Sequence, residues 1–330
     1  MRAYEPDEEG TPPARHAAAL FERVVANVES VVRGNPLVIG HAVTCLVAGG
    51  HLLIEDVPGV GKTSLGKALA ASVNCPQRRI QFTADLLPSD LVGVSVFDRE
   101  TAEFAFRPGP LFTNIVLADE INRTPPKTQS ALLEVMEERH VTVDGTTYRL
   151  SEPFMVIATQ NPHEHEGTFP LPLSQLDRFF MRVPLGYPEP FEEVGLLATH
   201  RGDDATDSLR PVAEPEDVLS LRESVGKVHC ADSLLHYIVA IANATRSHPG
   251  VSLGMSPRAT LALQRAARAW ALLHGRDFVV PDDVKALALP VLGHRIELRK
   301  GRVSSPDQAA ALLDENLSRV PVSDASHREL

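Results

Sequence analysis

One stretch limits the folds open to this chain more than any other: HLLIEDVPGVGKTSLGKALA, residues 51 to 70. His51 to Asp56 reads as a short apolar strand, Val57 to Gly61 as a turn sharpened by Pro58, Gly59 and Gly61, and Lys62 onward as a helix. Strand, glycine turn and helix in that order make a phosphate-binding loop. Glycines at 59 and 61 let backbone N–H groups close around an anion with no Cβ in the way, at the positive end of the helix that follows. Lys62 adds a mobile charge for the β- and γ-phosphates, and the Thr63 hydroxyl can ligand Mg²⁺. The expected cofactors are therefore ATP and Mg²⁺, held by Asp56, Val57, Pro58, Gly59, Val60, Gly61, Lys62, Thr63 and Ser64. Asp56 stands where the pattern G-x-x-x-x-G-K-[ST] has its first glycine. Leu65, Ala68, Leu69 and Ser72 recur at helical spacing and give the helix a core face.

A second apolar run, NIVLADEINR at 114 to 123, reads as a parallel strand buried on both faces and ending in Asp119-Glu120. Acids at the carboxyl end of such a strand face the crevice where open α/β sheets bind ligands. There Asp119 can hold the Mg²⁺ water shell and Glu120 can polarise an attacking water. FMVIATQNP, 154 to 162, is another buried strand, and Asn161 at its end either contacts the water or γ-phosphate or simply forms the turn before Pro162. Arg178, closing LSQLDRFF, reads as a surface arginine or as an arginine finger. In GMSPRAT, Ser256 caps a helix and Pro257 sits in its first turn, which leaves Arg258 at a helix N-terminus. A cation there is unfavourable unless an anion lies nearby, and the anion expected is a nucleotide.

Two domains suit the 330 residues. The expected division is a disordered lead over 1–16, an α/β nucleotide-binding core over 17–188, a smaller all-α lid over 189–315 and a polar tail over 316–330. Within the core, helices are expected near 17–32, 40–48 and 125–139, with strand-like pairs at 94–97 with 103–106 and at 140–150 reading as hairpins. Lid helices are expected near 190–201, 214–227, 231–247, 256–274 and 281–293, and Trp270 faces a core. HEHE at 163 to 166 lacks the spacing of a metal site. A formal charge of −11 gives no footprint for a nucleic-acid backbone. No apolar run approaches a membrane span, the acidic Pro-rich start has no signal core, and three scattered cysteines read as reduced thiols, so a cytoplasmic location is expected.

With those motifs in order, the chain resembles the MoxR family of AAA+ ATPases from roughly residue 17 to 300. The resemblance rests on EDVPGVGKT, QFTADLLPSDLVG, FRPGPLF, ADEINR, ALLEVMEER, ATQNP, EGTFPLP, QLDRF and SPRA. Leu173-Ser174 departs from the Glu-Ala expected after PLP. The resemblance implies an AAA+ P-loop core with a parallel sheet flanked by helices, an all-α lid, and a hexameric ring of the helix-2-insert clade. It implies that Lys62 and Thr63 are Walker A, Asp119 and Glu120 Walker B, Asn161 sensor 1, Arg178 the finger reaching a neighbour's site and Arg258 sensor 2. Phe97, Phe104 and Phe106 become candidates for a pore or substrate surface. Such ATPases resemble chaperones that mature protein complexes beside a separate von Willebrand factor A domain protein. A nucleic-acid motor and a nucleotide-gated scaffold with little hydrolysis are the competing readings, and the charge balance and Glu120 with Arg178 weigh against them.

Overall fold

The computed structural model describes residues 13–161, 167–199, 205–299, 302–303 and 306–322. In chain order the first half consists of α1 (Pro13–Glu29), α2 (Pro36–Val47), β1 (Leu52–Glu55), α3 (Lys62–Ser72), β2 (Gln77–Gln81), α4 (Pro88–Val92), β3 (Gly93–Asp98), β4 (Glu103–Pro108) and β5 (Ile115–Asp119). Then come α5 (Pro126–Glu138), β6 (His140–Val143), β7 (Thr146–Arg149), β8 (Met155–Gln160), α6 (Leu173–Leu176) and β9 (Met181–Val183). The rest of the chain holds α7 (Pro190–Thr199), α8 (Pro215–Lys227), α9 (Asp232–Ser247), β10 (Val251–Leu253), α10 (Pro257–Leu273), α11 (Pro281–Leu292), β11 (Glu297–Leu298), β12 (Arg302–Val303) and α12 (Pro306–Arg319).

The central sheet runs β2-β5-β8-β1-β9, and every pairing is parallel. All five strands therefore end on one edge, and β8 lies between the strand that carries the phosphate loop and the strand that carries Asp119. Helices cover both faces of the central strands β1, β5 and β8, which is why those are nearly continuous apolar runs, while the edge strand β2 keeps polar residues. Leu52 and Ile54 face one hydrophobic cluster and Leu53 the other, as the two-residue period of a strand requires. The first cluster continues without a break from the sheet through α1, α2 and α3 into lid residues such as Leu263 and Leu287. The second lies under α5, with Leu132, Leu133 and Met136.

Several expectations shift at the edges. Residues 13–16 of the expected disordered lead are helical, because Pro13 starts α1 earlier than apolar periodicity suggested; residues 1–12 lie outside the described ones. α2 likewise begins at Pro36, where the Asn35 side chain accepts the Val38 N–H at 3.2 Å. The lid is helical but also carries the small antiparallel sheet β10-β11-β12, whose strands are too short to leave a periodic signal. The expected end of the lid is a full helix, α12. Residues 163–166, the HEHE tract, fall outside the described residues.

Arginines fasten lid to core. Arg182 of β9 donates to Glu55 at 2.9 Å and to the Gly293 carbonyl at 3.1 Å. Arg295 reaches the Asp177 carboxylate at 2.7 Å and the Phe179 carbonyl at 2.7 Å, and His294 meets the Phe179 carbonyl at 2.9 Å. Three histidines are buried and neutral. His51 accepts the Val156 N–H on Nδ1 and donates from Nε2 to the Met136 carbonyl, both at 2.9 Å. Burial pushes its pKa down to about 3, that of His41 down to about 4 and that of His294 well below the ordinary range. An unfolded chain takes up protons near pH 6.5 that the folded chain refuses, so the stability these groups give is present above that pH and lost as pH falls. Unfolding titrations at pH 7.5 and pH 5 are expected to show a loss of about 2 kcal/mol per histidine. A midpoint insensitive to pH over that range would contradict it.

Candidate active site

The phosphate loop leaves the end of β1 and enters α3 through Gly61, whose φ of 93° only glycine adopts without strain. Gly59 also has positive φ, and a Cβ there would meet nothing within 4 Å, so the loop is open on that side. The Lys62 Nζ folds over the loop, 2.5 Å from the Asp56 carbonyl and 3.2 Å from that of Val57. Burial lowers its pKa, while Asp56, Glu120 and Asp119 pull the other way. Asp56, in the place of the pattern's first glycine, has a structural part as well. Its carboxylate accepts the N–H groups of Val57, Leu185 and Gly186 at 2.7, 2.8 and 2.6 Å, so it buckles the loop to the segment after β9.

At the end of β5, Asp119 is buried and lies 3.2 Å from the Thr63 hydroxyl. A hydroxyl and a carboxylate facing each other beside an open glycine loop fit the ligand set of a phosphate-bound Mg²⁺. Thr159 of β8 approaches Asp119 at 3.4 Å and accepts the Glu120 N–H at 3.0 Å. Glu120 itself is left-handed, with φ 58° and ψ 51°. A side chain held there costs on the order of 1–3 kcal/mol, and such strain gathers at functional positions. Asn161 follows β8 directly, and the Asp56 N–H donates to the Gln160 carbonyl at 3.2 Å, which sets Asn161 between the loop and the acids. Ser64 is half-buried in the first turn of α3.

Sequence reasoning missed two partners on β2. Arg79 Nε lies 2.6 Å from Asp119, and Gln81 donates to Glu120 at 2.9 Å; Arg123 approaches the same Glu120 oxygen at 3.3 Å. Arg79 and Gln81 share a strand face, and their register opposite Leu117 and Asp119 delivers them to the acids. The polar alternation in RRIQ was the signal, legible once β2 is known to neighbour β5.

Arg178 and Arg258 stand elsewhere. Arg178 precedes β9 and bonds Glu137 at 3.4 Å; Arg258 bonds the other Glu137 oxygen at 3.0 Å and lies 3.9 Å from Asp177. The anion beside Arg258 is thus a pair of protein carboxylates. Both arginines belong to the edge where strands begin, alongside Gly50 and His51. The phosphate loop lies at the other end of β1, about 15 Å away at 3.3 Å per strand residue. On the hairpin β3-β4, Phe97 and Phe104 are exposed and meet edge to face. Phe106, half-buried, joins the two hairpins by stacking on Tyr148 of the second at 4.1 Å.

The sheet order, glycine loop and paired acids define a P-loop ATPase with an attached helical lid. Residues 51–181 match the ATPase family associated with various cellular activities (AAA), and residues 243–316 match the AAA lid domain. YeaC of Bacillus subtilis is 50% identical over 92% of this chain and 95% of its own length. Chaperone MoxR1 of Mycobacterium tuberculosis is 40% identical over 84% of this chain and 76% of its own. A crystal structure from Cytophaga hutchinsonii superposes with a TM-score of 0.84 at 36% identity, covering 94% of this chain and 97% of that one. The chain belongs to the MoxR family of AAA+ ATPases, a membership that implies ATP hydrolysis. Among the described residues no helix is long and apolar enough to cross a membrane, and no group of three or more His, Cys, Asp or Glu could hold a metal ion.

Proposed function

We propose that this chain is a cytoplasmic, Mg²⁺-dependent ATPase that works as a hexameric ring to remodel, mature or activate a protein complex, beside a von Willebrand factor A domain partner. The observation that carries the ring is the separation of Arg178 and Arg258 from the phosphate loop of their own subunit. Two cations on one edge and a phosphate site on the other suit a head-to-tail contact, which closes into a ring when the rotation between subunits closes.

ATP with its Mg²⁺ supplies the phosphoanhydride whose hydrolysis does the work. In this reading Lys62 and the loop N–H groups bind the phosphates, Thr63 and Asp119 hold the metal, Glu120 accepts the proton of the attacking water and Asn161 orients it. Arg178, with Arg258 beside it, stabilises charge developing in the adjacent subunit's site. The exposed Phe97 and Phe104 offer a surface for the protein being remodelled. Turnover per subunit is expected to rise with protein concentration, in step with the ring population seen by sedimentation. Turnover that stays flat while rings form would overturn the proposal.

A further inference from the structure

A cavity of about 730 Å³ opens between the N-terminal edge of the sheet and lid helices α8 and α10. Seven of its lining residues are arginines, and two, Glu137 and Asp177, are acidic. Those carboxylates are already shared: Glu137 by Arg178 and Arg258, Asp177 by Arg295. Arg139 has Glu152 at 3.5 Å. Arg222, Arg265 and Arg268 are left with no carboxylate partner among the described residues.

Hydrogen bonding leaves the same deficit. Arg222 donates from Nη2 to the Leu46 carbonyl at 3.1 Å, but its Nε and Nη1 are buried without an acceptor, as is Nε of Arg268. A buried charged donor with nothing to bond is costly. The Arg265 guanidinium lies 4.6 Å over the Phe180 ring, a π face in place of an anion. Gly49 permits the crowding, since a Cβ there would come within 3.1 Å of Arg222 and 3.4 Å of Arg139. Desolvation lowers the pKa of Arg222, and the Arg139 and Arg265 charges lower it further against a pull from Glu152. Like charges held together this way call for an anion between them.

We propose that this cavity is a second phosphate site, in which Arg222, Arg265 and Arg268, with Arg139, bind an oligophosphate chain. Guanidinium forks match phosphate oxygens two at a time, and several of them lining one cavity suit linked phosphates better than a single carboxylate. The site is separate from the phosphate loop, which lies on the opposite edge. Its ligand is a free oligophosphate, and a contact to an adjacent subunit's nucleotide is an outcome the test separates.

The test is calorimetric titration of tripolyphosphate into the full chain carrying Lys62→Ala, which disables the phosphate loop, below and above the concentration at which sedimentation shows assembly. Saturable binding is expected, weakened at least about tenfold by adding Arg265→Gln and partly restored by Arg265→Lys. Arg265 makes no hydrogen bond to the fold among the described residues, and Arg268→Gln gives an independent second variant. Binding by the monomer supports the free-oligophosphate site; binding only after assembly places the anion at the contact between subunits and overturns a separate site. Absence of binding in both regimes, or an affinity indifferent to Arg265 and Arg268, overturns the site. The readout needs no ATP turnover, so its failure and a failure of the ring ATPase reading are told apart.

Discussion

Arg178→Ala is expected to slow ATP turnover by about 10³-fold at concentrations where the wild type is assembled, while the subunit still binds ATP with near wild-type affinity. The expectation follows from where the side chain stands. Arg178 lies on the edge where the strands begin, bonded to Glu137, and Lys62 lies beyond the far end of β1. In the proposed ring, removing it leaves its own phosphate loop intact and deprives a neighbour of the charge that would stabilise the transferring phosphoryl group. The half-exposed Arg178–Glu137 pair contributes less than about 1 kcal/mol to stability, so folding is spared. Turnover of the variant is checked against ATP binding in the same preparation. An equal loss of binding and turnover would mean that the arginine acts within its own subunit.

Glu120→Gln is the second large effect, with turnover lowered by about 10²- to 10⁴-fold and ATP retained. Glutamine keeps the shape and an oxygen for Gln81, and the left-handed backbone is no worse for it, so what is lost is the negative charge that receives a proton. Unchanged turnover would end the role given to Glu120. The two variants also test each other. Neither has a complete site alone, but in mixed rings an Arg178→Ala subunit contributes an intact Glu120 to a neighbour with an intact Arg178. About one contact in four is then complete in an equal mixture, and turnover should reappear on mixing.

How much of this could be read from the sequence depends on distance along the chain. The phosphate loop was legible because strand, glycines, lysine and threonine are contiguous and each has one chemical reason to be there. Asp119 and Glu120 were legible because an apolar run ending in two acids has few places in an α/β sheet. The partners were not. Arg79 meets Asp119 across 40 residues and Arg258 meets Glu137 across 121, and no periodicity in either segment announces the other. The partners of the Asp56 carboxylate were hidden too, since the Leu185 and Gly186 N–H groups come from beyond β9. The stacking of Phe106 on Tyr148 of the other hairpin was equally out of reach of local sequence.

The apolar core that runs from the sheet into the lid limits how a subunit can deform. Swinging the lid away from the core would wet side chains on both sides of that seam and pull Arg295 and Arg182 from their acceptors. Each exposed apolar side chain carries a cost of about 1.5–3 kcal/mol, and a few of them equal a typical domain's entire stability. Movement should then concentrate where no such seam exists, between one molecule and the next. The protein would behave like a stiff link, and the flexible joint would be the contact itself.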